Sequence, residues 1–217
     1  MCGRYWMEDS SEIQEITEEM NRSPLLGRWK EGTLVRTCGE VRPTDVVPVI
    51  ASDRTGRRAV FPMKWGFSGK GLLINARTET AAEKPTFREC WERRRCIVPA
   101  SWYFEWEHFP DKGRKTRVGD KYAIRPKNSD MTWLCGLYRI EEGLPSFVVL
   151  TREPGEDIRF IHDRMPLILP KRYTDDWIRP DTKPEKLLDM ALTDMACYKM
   201  ASDGSDRFKE EGTDFFR

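Results

Sequence analysis

The sequence predicts a single α+β domain built from many short strands with a few peripheral helices. Short apolar runs of strand composition recur along the chain, and turn-forming residues such as Glu142-Gly143 separate them. Amphipathic helical patterns are few and short, and no internal repeat is visible. A chain of 217 residues has the length of one ordinary to large domain and can bury its own core.

Five segments have helical character, and the first carries a cap at Ser10 or Ser11 followed by an apolar stripe. The predicted helices are residues 10–20, 85–94, 155–162, 171–178 and 184–190. The predicted strands are residues 44–50, 59–67, 72–76, a strand-turn-strand over 96–106, then 122–125, 132–140, 146–151 and 166–169. Since Pro48 cannot donate a ladder hydrogen bond, we expect its strand to be an edge or bulged strand. Residues 24–36 and 110–119 are predicted loops.

The charge balance excludes a globally basic nucleic-acid binder. Lys and Arg total 37 against 36 Asp and Glu, which gives a net charge of +1. Any DNA-binding surface must therefore come from local clustering of cations. The run Arg93-Arg94-Arg95 is one candidate for phosphate contact, although a short charge run is usually a solvated face.

Cysteine usage and the start of the chain suggest a cytoplasmic protein. The six cysteines contain no CxxC pair, so a structural zinc site is not indicated, and in a reducing compartment their even number does not imply disulfides. The N-terminus has no apolar signal region, and no run has the length of a transmembrane helix. We expect no cofactor, no bound metal and no membrane partner.

Cys2 is the cysteine with distinctive chemistry. If Met1 is removed, Cys2 carries both a free α-amine and a thiol. The amine condenses with an aldehyde to a Schiff base, and the thiol can then close a five-membered thiazolidine on the same carbon. The reference pKa of an α-amine is about 7.7–8.0, so part of it is neutral near pH 7. The alternative is an ordinary Met-Cys start without function.

Three other positions could carry chemistry. Glu105 is flanked by aromatic residues, which would raise its pKa toward an acid/base range, unless it simply faces water. His162 lies in a polar cluster before an apolar strand, where a structural role is the alternative. If residues 75–79 are extended, Asn75, Arg77 and Glu79 share one face and could hold a reacting group and a phosphate.

The sequence contains no Walker loop, HExxH or GxSxG pattern. Taken in order, its motifs instead resemble the SRAP family, the SOS-response-associated peptidase domains, over nearly the whole chain. The matching segments are Met1-Cys2-Gly3-Arg4, Met63-Lys64-Trp65-Gly66-Phe67, Asn75-Ala76-Arg77-Thr78-Glu79-Thr80, Arg94-Arg95-Cys96, Pro99-Ala100, Phe104-Glu105-Trp106, Trp133-Leu134, Thr151 and Ile161-His162-Asp163-Arg164-Met165-Pro166.

This resemblance implies one SRAP domain over residues 1–217, with antiparallel strands in a barrel-like core. It implies that the chain frees Cys2 by autoproteolysis and crosslinks Cys2 to the ring-opened sugar of an abasic site in single-stranded DNA, with a possible lyase activity. By position, Asn75 would hold Cys2, Glu105 would shuttle protons, and His162 would help to open the sugar ring. The residues implied at the DNA are Arg4, Arg77, Trp65, Trp106 and Thr151.

The chain departs from the family pattern at three places. Family members often have Asn-x-Ala-Pro where this chain has Glu40-Val41-Arg42-Pro43, and a longer loop after Trp65-Gly66. A Pro-Val-Ser segment is usual where Asp194-Met195-Ala196 stands. These changes leave the implied catalytic set intact and bear on the DNA channel.

The resemblance therefore implies a monomeric abasic-site sensor that shields the lesion during the DNA damage response. Its partner would be single-stranded DNA that contains abasic sites. Two alternatives stay open: a cysteine peptidase acting on other proteins, with His162 as base, and a non-covalent reader of modified DNA bases.

Overall fold

The structure of the protein is a computed structural model, which describes residues 2–30, 32–109 and 117–201. These residues form twelve strands and five short α-helices. The strands are β1 (Arg4–Met7), β2 (Gly39–Val41), β3 (Val46–Ser52), β4 (Arg58–Trp65), β5 (Asn75–Arg77), β6 (Arg95–Ala100), β7 (Trp102–Phe109), β8 (Arg117–Pro126), β9 (Thr132–Glu141), β10 (Leu144–Arg152), β11 (Met165–Pro166) and β12 (Met195–Lys199). The helices are α1 (Ser11–Asn21), α2 (Thr78–Ala81), α3 (Arg88–Arg93), α4 (Thr174–Ile178) and α5 (Glu185–Leu188).

Five strands close into a barrel in the order β10-β4-β3-β6-β9, with β9 pairing back to β10. The pairings are antiparallel except that of β10 with β4, which is parallel. Closure brings β9 very near its neighbours at Gly136, where a Cβ atom would lie 2.8 Å from the carbonyl oxygen of Val148 and 2.9 Å from Sγ of Cys96. Only glycine fits there, as is usual where strands crowd at a barrel corner.

A second sheet has the strand order β12-β8-β7-β1-β2. Its side chains alternate between two faces, as the strand period requires. Tyr5 and Tyr103 are fully buried in the main core, whereas Trp102 and Phe104 pack in a separate small cluster. This outer cluster also contacts Trp6, Trp106 and Tyr198. The sheet therefore carries a second, smaller aromatic cluster on the side away from the main core.

The helices lie at the periphery, as the sequence predicts. Ser10 caps α1 by accepting a hydrogen bond from the backbone N–H of Ile13, and the apolar stripe Ile13, Ile16 and Met20 is buried. The fold class is confirmed: the protein is a single α+β domain with a five-stranded barrel, additional strands and a few helices. No helix among the described residues is long and apolar enough to span a membrane.

Most predicted elements are present with shifted ends. The helix expected at residues 155–162 is only a 3-10 turn at Glu156–Ile158, and that at 171–178 begins as a 3-10 turn at Lys171–Tyr173. The sequence missed β1, β2, α2 and β12. The first three are only three or four residues long, and β12 is a half-exposed edge strand with a weak apolar pattern. Residues 110–116 of the predicted loop between β7 and β8 lie outside the described residues.

The edge-strand prediction for residues 44–50 is wrong, because β3 lies between β4 and β6. Its pairing with β6 is confined to Ile50 and Ala51, so Pro48 lies in a stretch that pairs with β4 alone. Opposite Pro48 in that ladder stands Pro62, which also lacks an N–H group. A proline can therefore occupy an interior strand wherever one side of that strand makes no ladder hydrogen bonds.

Arg95 contradicts the idea that the Arg93-Arg94-Arg95 run binds phosphate as a unit. Its side chain is 1% exposed and donates only to backbone carbonyl oxygens. The acceptors are the carbonyls of Trp91, Glu92, Trp177, Arg179 and Thr182. Arg95 thus ties α3 to α4 and the turn after α4, where the guanidinium satisfies carbonyls at the ends of short helices.

Candidate active site

The start of the chain is held against the centre of the second sheet. Strand β1 pairs with β7 so that Arg4 faces Phe104 and Tyr5 faces Tyr103. Continuing this antiparallel register brings the residues before β1 alongside Glu105. Cys2 is fully buried there, with its thiol 3.8 Å from the carbonyl oxygen of Arg4.

Asn75 approaches Cys2 from the barrel. Strand β5 places Asn75 opposite Val149 of β10, and its side-chain Nδ2 donates a 2.9 Å hydrogen bond to the carbonyl oxygen of Cys2. The other amide atom of Asn75, Oδ1, is buried and has no hydrogen-bond partner among the described residues. Asn75 therefore fixes the backbone of Cys2 and offers an acceptor beside it.

Glu105 is buried within this site, so the interpretation that it faces water is wrong. Its side chain is 3% exposed, and its Oε1 accepts a 3.4 Å hydrogen bond from the backbone N–H of Trp106. Burial of the thiol, and secondarily the negative charge of Glu105, raise the pKa of Cys2 to about 12. The Cys2 thiol is consequently protonated at neutral pH and needs a base before it can attack a carbon atom.

His162 reaches the site from the loop that follows the 3-10 turn. The backbone N–H of His108 in β7 donates to the carbonyl oxygen of Ile161 at 3.1 Å, which anchors that loop. Burial lowers the pKa of His162, and the charge of Glu105 opposes this effect. The ring Nδ1 accepts a 3.0 Å hydrogen bond from the N–H of Arg164 and lies 2.7 Å from Oδ1 of Asp163.

These two contacts of Nδ1 require different protonation states. A neutral Nδ1 accepts from the N–H of Arg164, whereas a protonated Nδ1 donates to Asp163. Burial disfavours the charged ring of His162, and its possible acceptor Asp163 is 86% exposed. The neutral ring, whose Nδ1 accepts from the N–H of Arg164, is therefore favoured. In that state the proton of the neutral ring is on Nε2.

His108 is a member of the site that sequence reasoning missed. Its ring lies 4.4 Å from that of His162, measured between centroids, and its donor atoms and those of Glu105 and His162 all lie within 4.8 Å of one another. In a regular strand, Glu105 and His108 would face opposite sides. A register shift between Trp106 and His108 brings them to one side, and a bulge of this kind leaves no clear trace in the sequence.

Four charged residues form a network on the outer face of the second sheet, which we call the Glu40 cluster: Arg4, Glu40, Arg42 and Lys121. Arg4 and Arg42 donate to Oε1 of Glu40 at 2.6 and 2.8 Å, and Lys121 donates to Oε2 at 3.1 Å. Burial raises the pKa of Glu40, but the hydrogen bonds from its three cationic partners outweigh this and lower it to about 2. Glu40 therefore stays ionised and neutralises part of the positive charge.

The Glu40 cluster lies against the outer aromatic residues. The guanidinium carbon of Arg4 is 5.8 Å from the ring centroid of Trp106, which is half-buried. Nζ of Lys121 is 3.9 Å from the ring of Phe104 and 5.7 Å from that of Trp106. These cations lie above aromatic rings of β7, the strand that also carries Glu105, and form a surface suited to phosphates and bases.

The other residues implied at the DNA have different environments. Arg77 is exposed at the end of β5, two residues beyond Asn75. Trp65 is fully buried, with its Nε1 donating to the carbonyl of Ile74 at 3.0 Å, and it stacks on Phe147 with ring centroids 6.1 Å apart. Because a stacking surface must be accessible, we leave Trp65 out of the proposed DNA surface.

Thr151 is also fully buried, and its carbonyl oxygen accepts hydrogen bonds from Thr78 and Arg164. Arg164 also forms a bidentate pair with Glu79 at 2.8 and 2.9 Å. The shared face predicted for Asn75, Arg77 and Glu79 is wrong, because β5 ends at Arg77 and α2 begins at Thr78. Thr151 and Glu79 thus hold Arg164, two residues after His162, and the burial of Thr151 leaves its side chain inaccessible to DNA in this structure.

The family model described as SOS response associated peptidase (SRAP) matches residues 1–203. The chain belongs to the SRAP family. Among the relatives of this SRAP protein, the abasic site processing protein YoqW of Bacillus subtilis is 31% identical over 220 residues, which cover 93% of each chain. The abasic site processing protein YedK of Escherichia coli is 26% identical over 206 residues, covering 89% of this chain and 86% of the relative.

Solved structures support the SRAP fold. A protein from Bacteroides thetaiotaomicron matches with a TM-score of 0.69 at 22% identity, covering 93% of both chains. A phage-related protein from Bordetella bronchiseptica matches with a TM-score of 0.68 at 21% identity, covering 92% of this chain and 94% of the other. At these identities, the structures establish the shared fold alone.

Proposed function

We propose that this SRAP protein processes abasic sites in single-stranded DNA by capturing the sugar aldehyde on Cys2 after Met1 has been removed. The observation that carries the proposal is the hydrogen bond of 2.9 Å from Asn75 to the carbonyl of Cys2, in a buried site that also holds Glu105. Relatives that cover nearly the whole chain are named abasic site processing proteins, which supports the choice of substrate.

The capture reaction joins one aldehyde to both groups of Cys2. The α-amine attacks the aldehyde carbon of the ring-opened sugar and forms a carbinolamine. This loses its hydroxyl group as water, with a proton supplied by an acid, and leaves an iminium. The thiol then adds to the same carbon, its proton goes to a base, and the electron pair of the C=N bond returns to nitrogen. One water molecule is released for each thiazolidine.

Glu105 is the group we assign to these proton transfers. It is buried beside Cys2, and its charge is felt at the thiol. As an acid it protonates the departing hydroxyl, and as a carboxylate it then accepts the thiol proton, since burial raises the pKa of that thiol. The same residue can thus serve both steps in sequence.

His162 is assigned to the opening of the sugar ring. The closed sugar is a hemiacetal, and it exposes an aldehyde only after the hydroxyl proton is removed and the ring oxygen is protonated. The lowered pKa of His162 keeps its ring neutral near pH 7, so that it can take part in such a proton transfer. Its place within 4.8 Å of Glu105 suits a role in the same proton network.

Removal of Met1 prepares Cys2 for the reaction in this proposal. It frees the α-amine, and the buried Oδ1 of Asn75 is an acceptor on the side chain that already binds Cys2. The aldehyde must also reach Cys2, whose side chain is fully buried in this structure. We propose that the chain cleaves the bond between Met1 and Cys2 itself, which the word peptidase in the family description supports.

The DNA surface that we propose combines the Glu40 cluster, Trp106 and Arg77. Arg4 and Lys121 lie over the ring of Trp106, and Arg77 is exposed at the end of the strand that carries Asn75. Cations of this kind bind phosphates, and a half-exposed tryptophan can stack on an unpaired base. These groups would bind phosphates and an unpaired base of the strand that carries the captured sugar.

The peptidase alternative is disfavoured by the state of the thiol. A cysteine peptidase needs a thiolate, which is made by a lowered thiol pKa. Here burial and Glu105 raise the pKa of Cys2 to about 12. Aldehyde capture fits this environment better, because the α-amine of Cys2 attacks first and the thiol loses its proton only in the second step.

Mass spectrometry after incubation with single-stranded DNA tests the proposal. Protein that starts at Cys2 should give one adduct, with the summed mass less one water, on DNA with an abasic site. Intact DNA and a tetrahydrofuran analogue, which cannot open to an aldehyde, should give none. Adduct on the analogue, or binding to abasic DNA without any adduct, would contradict capture, and cleavage of the DNA strand would report lyase activity.

A further inference from the structure

The cluster of Glu105, His108 and His162 contains one more titratable side chain than the proposed acid/base chemistry needs. The proposed capture reaction uses Glu105 and His162 and leaves His108 without a role. Yet the register shift in β7 brings His108 to the same side as Glu105, and its ring lies 4.4 Å from that of His162. Two imidazoles and a carboxylate are a donor set that binds zinc in many proteins.

The spacing of the donor atoms suits a metal ion. One nitrogen of each histidine and one oxygen of Glu105 all lie within 4.8 Å of one another. Zinc binds such atoms at about 2.0–2.2 Å, which in a tetrahedral site places them about 3.4 Å apart. Small rotations of exposed His108 about its side-chain bonds can supply the difference, and its exposure provides a path from solvent.

The surroundings of His162 contain the second partner that zinc-binding histidines usually have. Oδ1 of Asp163 lies 2.7 Å from Nδ1 of His162. When Nδ1 carries the proton, it donates to this carboxylate and Nε2 presents a lone pair to a metal. The exchange of the Nδ1 contact from the N–H of Arg164 to Asp163 would accompany metal binding.

We propose that Glu105, His108 and His162 form a site for a divalent transition metal ion, Zn²⁺ above all, whose binding blocks aldehyde capture. The three protein donors leave a fourth position for water. A bound ion occupies the carboxylate of Glu105 and the ring nitrogen of His162, so neither is available for proton transfer. The inhibitory part of this inference rests on the proposed function, whereas the binding part stands without it.

Zinc binding is measured first without DNA, on protein that starts at Cys2 and in a reducing buffer, by competition with a chromophoric chelator. Cys38→Ser serves as the parent in this experiment because Cys38 is exposed and could bind zinc by itself. The parent should bind one zinc ion per chain. The same chain with His108→Ala should bind it at least ten times more weakly. Adding Cys2→Ala to the parent should leave zinc affinity unchanged, since Cys2 is not a ligand.

Capture is then measured with and without zinc on abasic single-stranded DNA. Zinc should slow adduct formation by the parent at least tenfold, and a chelator should reverse this, whereas the capture rate of His108→Ala should be the same with and without zinc. Equal zinc affinity in the parent and His108→Ala overturns the site. Bound zinc that leaves the capture rate unchanged overturns its inhibitory role. Failure of the metal-free parent to capture overturns the proposed function instead and leaves the binding result standing.

Discussion

The side-chain amide of Asn75 donates a 2.9 Å hydrogen bond to the backbone carbonyl of Cys2, and it joins the barrel to the start of the chain. Because this hydrogen bond is made to the backbone carbonyl, it can orient the amine and the thiol of Cys2 without occupying either group. A net hydrogen bond of this kind contributes about 0.5–1.5 kcal/mol. Its loss would allow Cys2 to leave the orientation in which Glu105 can serve both reacting groups.

Asn75→Ala should therefore slow adduct formation on abasic DNA by roughly tenfold, the factor that about 1.4 kcal/mol represents. Affinity for the same DNA should stay within about twofold, because Asn75 is not part of the proposed DNA surface. Single-turnover rates at saturating DNA measure the effect. A rate equal to that of the parent would show that the hydrogen bond does not position Cys2.

Glu105→Gln should slow capture by about 10²–10⁴, the usual contribution of a positioned acid or base, because the amide keeps the shape of the side chain and cannot shuttle a proton. DNA affinity should be unchanged. Glu107→Gln is the matched control, since Glu107 lies in the same strand and binds the hydroxyl of Tyr122 at 3.1 Å. If the two variants slow capture equally, Glu105 has no specific role.

Glu40→Gln should strengthen binding to single-stranded DNA. The carboxylate neutralises part of the charge of Arg4, Arg42 and Lys121, and the amide does not. Because released cations can displace counterions from phosphates, the logarithmic salt dependence should steepen by up to about 0.7. Glu19→Gln, which removes a partner of Arg58 outside this surface, should change neither quantity. Weaker binding by Glu40→Gln would place the DNA elsewhere.

Arg77→Ala should weaken DNA binding and reduce the logarithmic salt dependence by about 0.7, as expected when one phosphate contact on a single strand is lost. Arg77 is exposed beside Asn75, so the fold should be preserved. Arg54→Ala, in the exposed turn after β3, is the control and should behave like the parent. Identical salt dependence in all three proteins would exclude Arg77 as a phosphate ligand.

Replacing Trp65 should lower the stability of the protein, whereas replacing Trp106 should lower its affinity for DNA. Trp65→Ala removes a fully buried side chain and should lower the free energy of unfolding by about 3–5 kcal/mol, measured by denaturant titration. Trp106→Ala should instead weaken DNA binding, by about 1–3 kcal/mol if one base stacks on it. A stable Trp65→Ala protein with reduced DNA affinity would reverse this assignment.

The sequence predicts the fold class, the start of one helix and individual site residues. The order of short strands predicts the fold class, and the cap at Ser10 predicts the start of α1 almost to the residue. The motifs around Asn75 and Glu105 indicate site residues, because each follows directly from the letters of the chain. Their proximity is a product of the pairing of β1 with β7 and of β5 with β10, which a linear pattern does not contain.

The misses have physical causes. Trp65 and Arg95 carry side chains that are often found at nucleic-acid surfaces, yet both are buried by contacts made through distant parts of the fold. In a regular strand, the side chain of His108 would face away from that of Glu105. The register shift in β7 brings it into the site. Burial and local irregularity of a strand depend on tertiary structure, so periodicity alone cannot predict them.

The most direct test of aldehyde capture by Cys2 compares the parent with Cys2→Ser, both shown by intact mass to lack Met1. Cys2→Ser keeps the amine and loses the thiol, so it can form an imine but no thiazolidine. We predict a heat-stable adduct on abasic single-stranded DNA for the parent, and for Cys2→Ser an adduct only when borohydride is added to trap the imine. A heat-stable adduct of Cys2→Ser without reductant would contradict the account and place the attacking group elsewhere.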